Sequence, residues 1–221
     1  MDGKPELMIT EDGSHTLYLR DLDEYYHSRF GAITESRHVF IEAGMRSVSP
    51  NSISILEMGF GTGLNAFLTW IEARDSGRSV RYTGVEMVPL EQTILKKLNY
   101  GKLTGKIEAG YFKLIHEAPW NSSTVISEEF ILEKLIMDIQ NLEIRDQFDL
   151  VYFDAFSPSK QPELWTVEIF SRIHRSMRSS SALTTYSSGG QVKRNLVEAG
   201  FRIEKLPGPP GKREMIRAWK E

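Results

Sequence analysis

Between residues 52 and 219, short apolar runs alternate with longer stretches whose apolar positions recur at helical spacing. Unbroken or alternating apolar runs favour strands, and a 3.6-residue period favours helices. On that basis residues 52–57, 80–86, 130–138, 148–154, 182–186, 201–206 and 215–219 read as strands. The stretches 64–73, 89–100, 103–117, 163–177 and 191–199 read as helices. This alternation predicts a doubly wound, Rossmann-like α/β fold, with a mostly parallel sheet covered on both faces. Only the Gly/Pro turn at 207–211 separates the last two strands, too little chain for a right-handed crossover. The C-terminal strand is therefore expected to run antiparallel. Ahead of this unit, 7–19 reads as a hairpin around Asp12-Gly13. Residues 22–47 read as largely helical, carrying Val39, Phe40, Ala43 and Met45 toward a core. The expected organisation is an N-terminal hairpin and helical extension, 1–50, and a main domain, 51–221.

Composition alters this picture little. A chain of 221 residues with 40% hydrophobic and 26% charged residues fits one soluble domain with a substantial core. The absence of cysteine removes disulfides, thiolate metal sites and cysteine nucleophiles, and no metal-ligand set is read from the remaining residues. No apolar run approaches the roughly 18 residues that cross a bilayer. The polar start Met1-Asp2-Gly3-Lys4-Pro5 lacks a signal-peptide pattern, so a cytoplasmic protein without membrane contact is expected. The net charge of −3 is unevenly spread. From Ser159 onward there are twelve Lys/Arg and six Asp/Glu, against fifteen and twenty-four before it. A basic C-terminal third on an acidic body can turn one positive face to an anionic partner.

The chemistry begins where the first main-domain strand runs into Glu57-Met58-Gly59-Phe60-Gly61-Thr62-Gly63-Leu64-Asn65. Glycines at a strand-to-helix turn permit positive φ and close approach of a ligand to the backbone. The spacing is G-x-G-x-G, not the G-x-G-x-x-G that seats a pyrophosphate on a helix N-terminus. Glu57, just ahead of the loop, suits an ammonium group and would repel a phosphate. Glu86 ends the next strand, where a carboxylate can accept from both ribose hydroxyls. Asp138 ends the third strand, within reach of an adenine edge. Together these point to S-adenosyl-L-methionine, with Glu57, Gly59, Phe60, Gly61, Gly63, Asn65, Glu86, Asp138 and Asp154 as candidate contacts. Capping the following helix is the competing role for Glu86, Asp138 and Asp154.

The run Phe148-Asp149-Leu150-Val151-Tyr152-Phe153-Asp154-Ala155-Phe156-Ser157-Pro158 is a buried strand ending in an acid, an aromatic and a proline turn. Ligands of open α/β sheets bind beyond the carboxyl ends of the strands. Methyl transfer from a sulfonium to an amine needs alignment and a neutral nitrogen more than acid–base chemistry. Asp154 could orient that amine or take its proton, Phe156 could pack on a flat ring, and Tyr186 could face the same crevice. The residues alone leave the acceptor open: a small-molecule amine, a protein or a nucleic acid. An NAD-dependent oxidoreductase or a non-catalytic RNA-binding protein would use the same fold.

The glycine loop with Glu57 and Glu86 resembles class I methyltransferases. More narrowly, the chain resembles the methyltransferase domain of the MnmC family, bifunctional tRNA wobble-uridine enzymes, and its stand-alone relatives. The matching blocks are Tyr26-His27-Ser28 with Gly31-Ala32, Glu35-Ser36-x-His38-Val39-Phe40, the glycine loop, Phe153-Asp154-Ala155-Phe156-Ser157-Pro158 with Lys160, Pro162, Leu164 and Trp165, Thr185-Tyr186-Ser187, and Gly211-Lys212-Arg213-Glu214-Met215. The resemblance implies methylation of the exocyclic amine of 5-aminomethyl-2-thiouridine at the tRNA wobble position. It implies cofactor contacts at the loop, Glu86 and Asp138, and substrate chemistry near Asp154. No second dinucleotide-binding unit is found, so the family's FAD-dependent step is not expected here, and a separate enzyme would supply the aminomethyl uridine. With tRNA as partner, Lys160, Lys193, Arg194, Lys212 and Arg213 are candidates for phosphate contact.

Overall fold

A computed structural model describes residues 4–221. Its first elements form an antiparallel sheet of β1 (Glu6–Ile9), β2 (His15–Leu19) and β3 (Glu24–Tyr25). The hairpin expected around Asp12-Gly13 joins β1 to β2. The Asp12 carboxylate accepts hydrogen bonds from the Ser14 amide (3.0 Å) and Thr10 hydroxyl (2.8 Å), and from the Thr34 amide (2.9 Å) and hydroxyl (2.8 Å). It thereby ties the turn to helix α1 (Ala32–Ser36).

The helix expected to begin at residue 22 begins ten residues later. Strand β3 and a loop occupy the interval, because the Tyr26 amide donates to Leu17 of β2 (2.9 Å) and not to its own helical turn. After α1 the chain continues as a π-helical turn, Arg37–Glu42. This segment lays Val39 and Phe40 into the core, and the Phe40 ring lies 5.0 Å from that of Tyr152.

The main sheet has eight strands: β4 (Ser52–Met58), β5 (Ser79–Glu86), β6 (Ser122–Ser127), β7 (Phe130–Ile136), β8 (Phe148–Phe153), β9 (Met177–Thr185), β10 (Arg202–Pro207) and β11 (Glu214–Lys220). Their spatial order is β10-β11-β9-β8-β4-β5-β7-β6. The central strands β9, β8, β4, β5 and β7 run parallel. The innermost two, β4 and β8, are buried nearly throughout, whereas β7 alternates and β9 is exposed over Arg178–Ser180, so the apolar run is densest at the centre of the sheet. The C-terminal hairpin is antiparallel, as its short turn predicts, and inserts β11 between β9 and β10. Strand β6 has no counterpart among the predicted elements. It is a polar edge strand, antiparallel to β7, with Val125 turned to solvent, so it carries no apolar signature.

Helices α2 (Leu64–Ser76), α3 (Gln92–Leu95), α4 (Tyr100–Thr104), α5 (Lys106–Glu117), α6 (Val167–Ser176) and α7 (Gly190–Glu198) complete the fold. The stretch expected as one helix over 103–117 divides at Gly105, whose φ of 148° no helix accepts. Every residue from Leu64 to Trp70 is buried, since α2 lies between the sheet and the N-terminal extension. Among the described residues no helix is long and apolar enough to cross a membrane.

The chain leaves β4 toward β5 and β7, then returns to β8 on the other side. That reversal opens a crevice at the carboxyl ends of β4 and β8, the place where such sheets bind ligands.

Candidate active site

The glycine loop closes the end of β4. A side-chain carbon on Gly59 would stand 2.6 Å from the Asp154 carbonyl, and Gly59 takes φ 86°. Only glycine lets the ends of β4 and β8 meet here. The loop's amides are engaged within the protein. Gly59 and Phe60 both donate to the Val85 carbonyl (3.0 Å each), Gly61 to the Glu86 carboxylate (3.0 Å) and Gly63 to Phe60 (2.8 Å). A phosphate-binding loop keeps such donors free for its anion, so this loop is not built for a dinucleotide. Phe60 turns its ring inward, over Gly84 and edge-on to Trp120, so a ligand meets chiefly its main chain. Gly63, in the left-handed region, starts α2 and does not line the crevice.

Two acids face the crevice from the β5–β7 side. Glu86 is half-buried and held by the Gly61 and Val88 amides, both at 3.0 Å. Burial pushes its carboxyl up, against the pull of those amides. Asp138 lies just past β7 and caps a single 3-10 turn, accepting from the Gln140 amide (2.9 Å). The capping role and the crevice-lining position coincide in this residue.

Glu57 does not reach the crevice. It is fully buried, and its Oε1 accepts from Asn65 Nδ2 (2.9 Å). The same Asn65 nitrogen donates to Asp154 Oδ2 (2.8 Å). Asn65 likewise stays behind the crevice wall. Asp154 lines the wall, and burial followed by the charge of Glu35 pushes its carboxyl up to about 7.

The crevice is a cavity of about 820 Å³. One half is formed by the glycine loop, Glu86 and Asp138. The other is walled largely by the N-terminal extension, a contribution absent from the residue-level reading. Tyr26 lays its ring 3.1 Å from the side-chain position of Gly61 and edge-on to Phe156, with 5.1 Å between ring centres. His27 Nε2 lies 2.8 Å from the Thr62 hydroxyl, and burial pulls the imidazole down to about 4. The buried Glu35 carboxylate accepts from the Ser28 amide (2.7 Å) and from Lys212 Nζ (2.6 Å). Lys212 Nζ also stands 3.8 Å from the centre of the Tyr186 ring, whose hydroxyl donates to Ala155 (2.8 Å). The donors and acceptors around the cavity fit a cofactor with a ribose and an adenine edge: a bare glycine turn, a rigid carboxylate at the second strand and an acid at the third.

The five basic residues singled out in the sequence do not form one free patch. Lys212 is ion-paired to Glu35 and lines the cavity wall. Lys160 lies 3.7 Å from Asp23, and Lys193 lies 3.8 Å from Glu214. Arg194 is exposed and bonds Gln191 (2.7 Å). Arg213 is exposed and lines a neighbouring recess with Ser157, Ser187 and Ser188. Tyr186 and Lys212 are shared between this recess and the cavity. Long-range counter-charges of this kind leave no mark in local sequence.

A family model for S-adenosyl-L-methionine-dependent methyltransferases matches residues 109–221, just over half of the chain. The chain is 31% identical over 214 residues to the tRNA 5-methylaminomethyl-2-thiouridine biosynthesis bifunctional protein MnmC of Nitrosospira multiformis, covering 91% of this chain and 35% of that one. It is 29% identical over 220 residues to the MnmC protein of Campylobacter fetus, covering 96% of this chain and 35% of the relative. The chain thus spans about a third of the length of these curated relatives. The crystal structure of MnmC2 from Aquifex aeolicus superposes with a TM-score of 0.81 at 27% identity, covering 100% of this chain and 71% of that one.

Proposed function

This chain belongs to the S-adenosyl-L-methionine-dependent methyltransferase family, and from that premise we propose that it methylates the exocyclic amine of 5-aminomethyluridine, or its 2-thio form, at the wobble position of tRNA. The observation that carries the reading is the placement of Asp154. It stands at the sheet's switch point, beside the glycine loop and Phe156, in a cavity that Tyr26 and Tyr186 also line. A carboxylate next to aromatic rings suits a flat base that bears a short primary amine. The likeness to MnmC proteins over nearly the whole chain supports the same substrate class.

In this reading Glu86 holds the cofactor's ribose hydroxyls, the main chain at Gly59 and Gly61 passes its amino-acid portion, and Asp138 meets the adenine edge. The cofactor supplies a methyl group already activated on a sulfonium. The chain's own work is to present a neutral amine in line with it. A primary alkyl amine is largely protonated in neutral water, so its nitrogen lone pair must first be freed. Asp154 accepts the N–H hydrogen bond and takes the proton, and Phe156 with Tyr26 holds the plane of the base. Holding two reactants in attack geometry is worth several powers of ten in rate.

The RNA side is proposed to rest on Arg213, which is exposed and lines the recess, and on the exposed Arg194, more than on Lys160 and Lys193, which already face acids. A separate reaction that leaves a primary amine on the uridine supplies the substrate.

The test is incubation with methyl-labelled cofactor and tRNA carrying the aminomethyl base, followed by nucleoside mass spectrometry. The expected product is the 5-methylaminomethyl nucleoside. No incorporation into that tRNA, with transfer to free amines or protein instead, overturns the substrate assignment.

A further inference from the structure

Behind the cavity wall three polar side chains stand in a row: Glu57 at the end of β4, Asn65 in the first turn of α2, and Asp154 past the end of β8. Asn65 Nδ2 lies 2.9 Å from Glu57 Oε1 and 2.8 Å from Asp154 Oδ2. An amide nitrogen carries two hydrogens, and these two bonds use both. They also fix which way the amide faces, because its oxygen would be repelled by the Asp154 carboxylate. Asn65 is 2% exposed and Glu57 0%. Neither lines the cavity, and the Glu57 carboxyl is turned to Asn65.

We propose that Asn65 is a positioning residue for the transfer: backed by Glu57 as a neutral carboxylic acid, it pins one oxygen of Asp154 and leaves the other to the substrate amine. The inference rests on Asp154 being the partner of that amine. Three features of the row support it. Among the described residues Glu57 makes no ion pair, and its fully buried carboxyl faces the Asn65 amide and the buried Tyr82 phenol, both uncharged. Two carboxylates on either side of one uncharged amide, in a site of low polarity, repel strongly unless one is protonated. The deeper of the two is the one that stays neutral. Burial, reinforced by the charge of Asp154, pushes the Glu57 carboxyl well above the usual range.

Around Asp154 the groups that matter are few. Glu35 from α1 opposes its charge, as Glu57 from β4 would if it were ionised, while Asn65 from α2 and Lys212 from the β10–β11 turn favour it. Tyr186 past β9 and Tyr82 from β5 lie within its field as neutral phenols. Removing the Asn65 donor therefore moves the Asp154 carboxyl upward and frees it to rotate.

The experiment compares wild type with N65L and E57Q. For N65L, kcat should fall about tenfold to a hundredfold, with cofactor affinity and the RNA KM within about threefold, as for a group acting through another in the transition state. Its kcat–pH profile should shift its acid limb to higher pH, and a carbon-13 NMR titration of Asp154 should show the same shift without any substrate. If N65L fails to fold, N65S, which admits water in place of the amide, carries the same measurements. E57Q preserves a neutral acceptor for Asn65, so cofactor binding by calorimetry should stay within about twofold, whereas loss of an ionic contact costs tenfold or more. An Asp154 titration unmoved in N65L and N65S overturns the positioning role. A tenfold loss of cofactor affinity in E57Q overturns the neutral acid and restores a cofactor contact. Wild-type protein that fails to methylate the RNA overturns the substrate reading alone, since the titration and the calorimetry are indifferent to it.

Discussion

The two halves of the cavity are built in different ways. The cofactor half comes from the turns after β4, β5 and β7, where the main chain itself does most of the shaping. Its parts are fixed by backbone bonds: Gly59 and Phe60 to Val85, and Gly61 and Val88 to the two oxygens of Glu86. The substrate half is assembled from side chains far apart in sequence. Glu35 holds Lys212, Lys212 covers Tyr186, and Tyr26 meets Phe156. One half is a rigid cradle that any class I methyltransferase would need. The other is a set of long-range pairings that can be changed one at a time, and on the proposed reading it is the half that faces the substrate. Substitutions should therefore separate cleanly: those in the cradle change cofactor affinity, and those in the other wall change turnover or RNA binding.

The largest effect is expected from D154N, which keeps the shape and the main-chain contacts but cannot take a proton. Turnover should fall by about 10²–10⁴, the usual range for a general base, with cofactor affinity by calorimetry little changed. In the wild type, activity should fall as pH drops through about 7, because Asp154 must be ionised to accept the amine's proton. A flat profile across pH 6 to 8, where a group near neutrality must titrate, would remove Asp154 from that role. The converse substitution is E86A. Loss of a rigid, half-buried acceptor costs about 1–3 kcal/mol, so cofactor affinity should weaken roughly tenfold to a hundredfold while the RNA KM holds. An E86A protein that binds cofactor normally would take the ribose role away from the β5 end.

Tyr26 is where the two halves touch, and Y26A is the substitution that blurs the comparison. Its ring covers Gly61 on one side and meets Phe156 on the other. Loss of a part-buried aromatic contact is worth about 0.5–1.5 kcal/mol beyond area, so both cofactor affinity and RNA KM should worsen severalfold. A change in only one of them would assign Tyr26 to a single half.

How much of this was legible in the sequence follows the same division. The G-x-G-x-G spacing, the acid at Glu86 and the strand ending at Asp154 are local patterns, and all three line the crevice at the carboxyl ends of the strands. The antiparallel last strand was readable because the turn at 207–211 is too short for any other connection. Strand β6 was not, because an edge strand with one face in water needs no apolar repeat. Residues 22–31 were misread as helix because aromatic residues that wall a cavity look, one at a time, like those that fill a core. Glu57 shows a different failure. Its position ahead of the loop suggested a cofactor contact, but which way a strand residue points depends on register, and register turned it toward Asn65. Lys212 reads from sequence as a candidate phosphate contact, and nothing within its neighbourhood in sequence reveals its ion pair with Glu35.

The smallest effect concerns the wall and not the chemistry. The substrate half depends on an extension whose hairpin turn is tied to α1 by Asp12. Burial alone would raise this carboxyl, but hydrogen bonds from Ser14, Thr34 and Thr10 outweigh it and hold it down to about 2. A carboxylate whose pKa is lower folded than unfolded adds stability at pH values above its unfolded pKa, here 3.8. That contribution is lost as pH falls from there toward about 2. D12N cannot ionise, so its melting temperature should lie below wild type near neutrality and the gap should close as the solution is acidified through this window. Because α1 also carries Glu35, the same variant should raise the RNA KM slightly at neutral pH while leaving cofactor affinity alone. A D12N protein in which cofactor binding weakens as much as RNA binding would mean that the extension supports both halves equally, and the division between cradle and wall would no longer hold.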